Sequence, residues 1–356
     1  MYRAAIVGLN FIAADPHVED LGPPWGPRHA MSHAAAYAEQ PHVEVVAVCD
    51  LRRDLLEEFA ARWSSRWPGL RTYTSVEEML AREQLDLISV CVPDHLHAQV
   101  VIPAAQAGVR GILCEKPLAT TLKDADAMIE AVERHGAVMV VGHTRRWVPE
   151  FAVARQMIRR GEIGAVRSVE VSWHMPRAML FRNGTHFVDM MLYLIDGEPR
   201  SVLASLPEEF AGYGPRYAGD GGRDPKLDPP ASAVITFQSG IRGVFHLAPS
   251  PTTLGLFRVV GERGEVVLRT DGGGVAAAEL TLVGEDGGAF TRPLSRVHYR
   301  HGAIGAAVNE LIGLVEGRVA TPTSPPQEGR KTLSVCLAIL QSAHLGREVR
   351  FPIADM

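Results

Sequence analysis

Two places in this sequence hold side chains that could move a proton at a reacting carbon. Glu115-Lys116-Pro117 follows the apolar run Gly-Ile-Leu-Cys that ends at Cys114, and in open α/β sheets ligands gather outside the carboxyl ends of the strands. A lysine there is either solvated, as charged side chains mostly are, or holds a substrate oxygen and stabilises charge developing on it. His186 and Asp189 stand three residues apart in a helical stretch that continues as MMLYLI, so they share a face. The carboxylate can orient the imidazole for general-base work, the alternative being a structural histidine on an apolar helix. His95 and His97 alternate along a segment expected to be extended, and so to point the same way. No cysteine or acidic partner has ligand spacing, and no metal is expected.

A third place has the spacing of a nucleotide site. Gly8 ends the first apolar strand, and Gly8-Leu9-Asn10-Phe11-Ile12-Ala13 is a degenerate glycine fingerprint in which Asn10 replaces the second glycine and Ala13 fills the small third position. Gly8, Asn10, Phe11 and Ile12 are therefore candidate cofactor contacts, although a strand-ending glycine alone reads the same way. The second strand ends in Asp50, whose carboxylate can bind the adenosine ribose hydroxyls, cap the helix beginning near Leu51, or do both. Asp50 lies 50 − 8 = 42 positions after Gly8, against roughly 20 in the fingerprint. An insertion over residues 14–28, rich in proline and glycine and containing Trp25, accounts for most of the excess and is expected to border the cofactor or substrate cleft. Asp50 favours NAD; Arg52 and Arg53 keep NADP as a second choice.

These groups need a scaffold. Short apolar runs (AAIVG, VEVVAVCD, LDLISVCVP, GILCEKP, AVMVVGH) alternate with helical segments over the first third of the chain, the signature of βαβ units around a parallel sheet buried on both faces. The fold predicted is α/β plus α+β: an N-terminal doubly wound Rossmann domain over residues 1–145, then a substrate-binding, oligomerising α+β domain over residues 146–330. After Trp147 the strands VRSVEVSWH, SAVITFQ, RGVFHLA, LFRVVG and GEVVLRT alternate, which predicts an open-faced, mostly antiparallel sheet. Residues 210–230 read as a long glycine- and proline-rich loop, either a lid or an exposed insertion. Residues 331–346 form a helix candidate with Leu333, Leu337, Leu340 and His344 at helical spacing, followed by the strand-like EVRF. Residues 331–356 are expected to pack back on the Rossmann domain.

With 356 residues, 46% hydrophobic and 22% charged, the chain can bury two cores. A net charge of −5 with no basic block makes nucleic acid an unexpected partner. Cys49, Cys91, Cys114 and Cys336 lie far apart with no paired spacing and read as reduced core residues of a cytoplasmic protein. The chain enters a strand at Tyr2, which leaves no room for a leader, and no apolar stretch is long enough to span a membrane.

Cys91-Val92-Pro93-Asp94-His95-Leu96-His97, then Ala104-Ala105-Gln106-Ala107-Gly108, then Cys114-Glu115-Lys116-Pro117-Leu118-Ala119 closely resemble the glucose–fructose oxidoreductase/inositol dehydrogenase (Gfo/Idh/MocA) family in order and spacing. Val141-Gly142-His143-Thr144-Arg145-Arg146, Gly184-Thr185-His186 with Asp189, Val260-Gly261-Glu262-Arg263-Gly264 and the closing helix with Ser342 and Gly346 extend the resemblance over nearly the whole chain. It implies a dinucleotide along the carboxyl edge of the parallel sheet, cofactor contacts at Pro93, His97, Glu115 and Lys116, and a cis Lys116–Pro117 bond. It also implies an acid/base role for His186, and an open-faced sheet that often mediates oligomerisation, here as a homodimer or homotetramer. The family's usual aspartate four residues before that histidine is replaced by Arg182, followed by Asn183. Arg182, Asn183, Asp189 and His174 are taken as substrate contacts, with Arg177 as a further candidate.

The activity implied is hydride transfer between nicotinamide and a secondary alcohol of a sugar or cyclic polyol. A base must take the alcohol proton as the hydride leaves. His186 is the first choice and Lys116 the oxyanion ligand, although the two roles can be exchanged. Two alternatives stand beside it: a dinucleotide-binding regulator without turnover, and a redox-neutral sugar-modifying enzyme that retains its NAD.

Overall fold

The computed structural model describes residues 1–14, 30–271, 274–294 and 302–354. The insertion predicted over residues 14–28 lies almost wholly outside them, Trp25 included. The chain divides into two compact units, Met1–Trp147 with His298–Arg330, and Val148–Val297 with Lys331–Met356.

In the first unit, strands β1 (Tyr2–Val7), β2 (Val43–Cys49), β3 (Arg71–Tyr73), β4 (Leu87–Val90), β5 (Gly111–Cys114) and β6 (Val138–Val141) pair in parallel in the order 3-2-1-4-5-6. Nearly every side chain of β1, β2, β4 and β5 is buried, because helices pack on both faces of the sheet. This is the doubly wound architecture expected. Three of the helices start at hydroxyl caps: Ser32 accepts the Ala35 N–H, Ser75 that of Glu78 and Thr121 that of Asp124.

The second unit carries a nine-stranded sheet: β7 (Val166–Met175), β8 (Pro199–Ser205), β9 (Ser232–Phe237), β10 (Arg242–Pro249), β11 (Leu254–Gly261), β12 (Gly264–Thr270), β13 (Val275–Val283), β14 (Ala289–Pro293) and β15 (Val349–Arg350). Their order is 14-13-12-11-7-10-9-8-15, and every pairing is antiparallel except β7 with β10. Alternation along β7 buries Val169, Val171 and Trp173 on one face. There Trp173 stacks on Phe187 of the helix Thr185–Ile195 at 4.1 Å, and Phe257 meets Phe151 of the helix Pro149–Arg159 at 4.9 Å. The other face is open, and Leu203, Val234 and Val244 form an exposed cross-strand row on it.

The expected assignment of the last quarter of the chain is corrected. Residues 298–330, expected in the substrate domain, belong to the Rossmann unit, and residues 331–356, expected to pack on the Rossmann domain, belong to the sheet unit. The helix Ala303–Val315 packs on β5, β6 and the helix His33–Ala38. A side chain at Gly111 would meet Val315 and Leu311 at 2.9 and 3.2 Å. Glu310 accepts hydrogen bonds from the Trp147 indole and from Thr323, while Arg146 donates to the Thr323 carbonyl. On the other side of the boundary, Ser342 Oγ accepts the Ala204 N–H and β15 pairs with β8. The closing helix is longer than predicted, Pro326–Leu345, and changes unit at Arg330.

Candidate functional site

The carboxyl edge of the parallel sheet is built around Gly8. Its φ is +85°, and a Cβ there would lie 2.7 Å from the backbone of Cys91 and Val92, so the turn after β1 admits only glycine. The Asp50 carboxylate accepts the Leu9 N–H at 2.7 Å and the Arg52 N–H at 2.9 Å. It thereby ties the end of β2 to the glycine turn, and its remaining lone pairs are open to ribose hydroxyls. The capping alternative does not hold: the helix Arg53–Trp63 has Arg52 at its N-cap. Arg52 itself is ion-paired with Asp54. Asn10 is exposed and Ile12 half-buried beside the turn, while Phe11 begins a four-residue helix, Phe11–Ala14. This set of residues suits the adenosine end of a dinucleotide.

Lys116 stands half-buried at the end of β5, and the Lys116–Pro117 bond is cis. Glu115, expected to touch the cofactor, instead turns inward and is 9% exposed. Its Oε1 lies 3.2 Å from His33 Nε2, and its Oε2 accepts the Lys116 N–H at 3.3 Å. Burial alone would raise its pKa, but the His33 hydrogen bond and charge, with the charge of Lys116, hold the carboxyl below the usual range. Gly142 leaves room for it, since a Cβ there would meet Glu115 Oε1 at 2.9 Å. Sequence reasoning missed His33; its setting, HAAAY after an unclassified insertion, gives no chemical signal.

His95 and His97 do not share an orientation. The Asp94 side chain accepts the His95 N–H and starts a short 3-10 turn, Asp94–Leu96, after which His97 opens the helix His97–Gln106. His95 is exposed, whereas His97 is buried with its ring nitrogens 3.1 Å from the Leu118 and Val92 carbonyls. Burial pushes the His97 pKa down. The backbone beside half-buried Pro93 is thus braced by His97. All four cysteines are free and buried, and burial pushes the Cys49 thiol up to about 12.

In the second unit His186 sits half-buried in the first turn of the helix Thr185–Ile195. The helix is entered through a π-helical turn, Leu180–Gly184, with no side-chain cap at Gly184. The turn is held from a distance: the fully buried Asp228 accepts the Phe181 and Arg182 N–H groups, each at 2.8 Å. Residues 210–230 are tied to this turn through Asp228. Arg182 Nη1 donates to the Gly222 carbonyl at 2.8 Å and to that of Gly221 at 3.2 Å, Arg177 donates to the carbonyls of Gly222 and Arg223, and Tyr217 stacks on Phe181 at 3.8 Å. Burial and the neighbouring Arg177 push the Arg182 pKa down.

Arg177, Arg182, Asn183 and Asp189, all expected to touch substrate, have partners within the unit. Arg182 latches the loop, and the Asn183 amide donates to the Arg177 carbonyl at 2.6 Å. Asp189 has no exposed surface, and its Oδ1 accepts the Thr332 hydroxyl at 3.2 Å. His174 alternates with Trp173 and so lies on the open face of the sheet, away from the helix that carries His186, with its ring 5.4 Å from that of His246. Asp228 was missed because nothing local marks an aspartate before two prolines as a distant cap.

Residues 26–143 match a family model described as an oxidoreductase family with an NAD-binding Rossmann fold, and residues 151–267 match the GFO/IDH/MocA C-terminal domain. Levoglucosan dehydrogenase of Pseudarthrobacter phenanthrenivorans is 28% identical over 246 residues, 60% of this chain and 63% of that protein. D-apiose dehydrogenase of Paraburkholderia graminis is 35% identical over 163 residues, 46% of this chain and 38% of that protein. The chain spans about half the length of the curated relatives it matches. A solved levoglucosan dehydrogenase in complex with NADH and L-sorbose superposes with a TM-score of 0.76 over 99% of both chains at 20% identity, a likeness of fold.

Proposed function

The chain belongs to the Gfo/Idh/MocA family of oxidoreductases, and on that footing we propose that it is an NAD-dependent dehydrogenase acting on a secondary alcohol of a sugar or cyclic polyol. The observation that carries this reading is Lys116 at the carboxyl end of β5, its backbone N–H held by a buried carboxylate, in a sheet whose first turn has the tight glycine geometry that suits a dinucleotide. Relatives named for levoglucosan, D-apiose and inositol support the substrate class.

Bound nicotinamide supplies the hydride acceptor or donor. Gly8, Asp50 and the backbone beside them bind the dinucleotide, and the Asp50 carboxylate suits free ribose hydroxyls and repels a ribose phosphate. Lys116 donates a hydrogen bond to the alcohol oxygen and stabilises the charge that grows on it. His186 takes the alcohol proton. Asp189 and Thr332, beneath the first turns of the helix, orient that helix face without touching substrate. Arg182 and Asp228 shape the approach to His186 by fixing the loop, so Arg182 serves in place of the family's usual aspartate as a scaffold.

The proposal extends to a homodimer or homotetramer assembled through the open sheet face, supported by the exposed row Leu203, Val234 and Val244. A cytoplasmic setting is supported by four buried free thiols. Among the described residues no helix is long and apolar enough to cross a membrane. The test of activity is a panel of anhydrosugars, pentoses, hexoses and cyclic polyols with NAD and NADP, followed by nicotinamide absorbance. NAD reduction by a member of the panel is expected; turnover with none, while NAD still binds, would favour a regulator.

A further inference from the structure

A charged pair stands directly beside Asp50 at the end of β2. Arg52 is the N-cap residue of the helix Arg53–Trp63, and Asp54 lies in its first turn. The Arg52 N–H donates to Asp50 Oδ1 at 2.9 Å, while Asp50 Oδ2 accepts the Leu9 N–H of the glycine turn at 2.7 Å. An arginine tethered to that carboxylate through its own backbone is in reach of a phosphate carried on the ribose that Asp50 faces. Its guanidinium is turned to another partner. Arg52 Nε donates to Asp54 Oδ1 at 3.1 Å and Nη2 donates to Asp54 Oδ2, a side-on pairing through two bonds. A guanidinium meets carboxylate and phosphate with the same planar fork. Asp54 therefore takes up both the edge and the charge that a ribose phosphate would use. The two side chains are 61% and 57% exposed, so the pair is weak and can be opened by substitution without disturbing a core.

We propose that Asp54 is a specificity-determining residue: by holding Arg52 in this fork it withholds from NADP a guanidinium tethered beside the ribose, and so adds to the preference for NAD set by Asp50. This rests on the reading that Asp50 meets the adenosine ribose. Asp54 acts through Arg52 and not on the nucleotide. The pairing also gives the two consecutive arginines after β2 different standing. Arg52 is engaged, whereas Arg53, exposed at the first position of the helix, is the competing candidate for a phosphate.

The test is a fluorescence titration of the full chain with NAD and with NADP, which needs no substrate. Asp54→Ala should tighten NADP binding by about two- to fivefold, the scale of one exposed ion pair, and leave NAD binding unchanged. The gain should vanish in an Arg52→Ala background and persist in Arg53→Ala. If NADP binds too weakly to titrate, the same cycle is read in Asp50→Asn, where the repelling charge is gone. An unchanged NADP affinity in Asp54→Ala overturns the proposal. So does an equal gain without Arg52, which would mean that Asp54 repels the phosphate by its own charge, and so does a gain that depends on Arg53 instead. Failure of the underlying reading appears separately: Asp50→Ala would then keep the wild-type ratio of NAD to NADP affinity.

Discussion

Replacing Asp228 by asparagine tests whether the turn before His186 is held from the loop. The carboxylate is fully buried and accepts two backbone N–H groups at 2.8 Å, those of Phe181 and Arg182. Each bond to a charged acceptor is worth about 1.5–3 kcal/mol. An asparagine keeps one acceptor oxygen and turns its NH2 toward the second N–H, so one bond is lost and one buried donor is stranded. The expected cost is about 3 kcal/mol, or roughly a hundredfold in the local opening equilibrium. Hydrogen exchange read by NMR or mass spectrometry should show protection at 181–184 falling by that factor, while the strands β1 to β6 keep theirs. Turnover should fall with it, because His186 begins the next turn. Unchanged protection at Phe181 and Arg182 would refute the capping role. Lost protection with full turnover would show that the π-helical turn does not position His186.

Lys116→Met and His186→Ala should each lower turnover by roughly a hundredfold or more while NAD affinity, measured by calorimetry, stays within a few-fold. Asp50→Ala should weaken NAD binding and narrow its advantage over NADP; a fluorescence titration giving wild-type preference would remove Asp50 from the ribose site. His97 has a folded pKa below its unfolded value, so its contribution is complete above about pH 6.5 and is lost as pH falls through the lower folded value. His97→Asn should therefore flatten the fall in stability just below pH 6.5, as followed by denaturant midpoints. Val234→Glu, on the open sheet face, should shift light-scattering mass toward the monomer if that face is the subunit contact.

Local pattern carried much of this structure. Runs of apolar residues buried on both faces announce β1, β2, β4, β5 and β6, and period-two alternation announces β7, β9 and β10, because each reports a burial environment that neighbouring residues share. Gly8, Asp50 and Lys116 were legible for the same reason, each ending a strand whose place in the sheet is fixed. What sequence could not give was pairing at long range. His33 finds Glu115 across 82 positions, and Asp228 finds the Phe181 amide across 47. Their partners are a carboxylate and two backbone amides that any polar residue could have served. His174 shows the same limit: alternation showed that it faces away from Trp173, but not which face the helices cover.

The return of residues 298–330 to the first unit also matters while the chain is being made. The hydrophobic side of β5 and β6 is complete in sequence at Val141, yet the helix that covers it ends at Val315, 315 − 141 = 174 residues later. At about 5–20 residues per second, a ribosome leaves that side uncovered for roughly ten to thirty-five seconds. The nucleotide-binding half therefore cannot finish folding as it emerges, and must wait until the sheet of the other half has been synthesised. Nascent chains halted near residue 150 should engage chaperones through this exposed sheet, and an expression fragment ending there should aggregate unless the 298–330 segment is supplied to it.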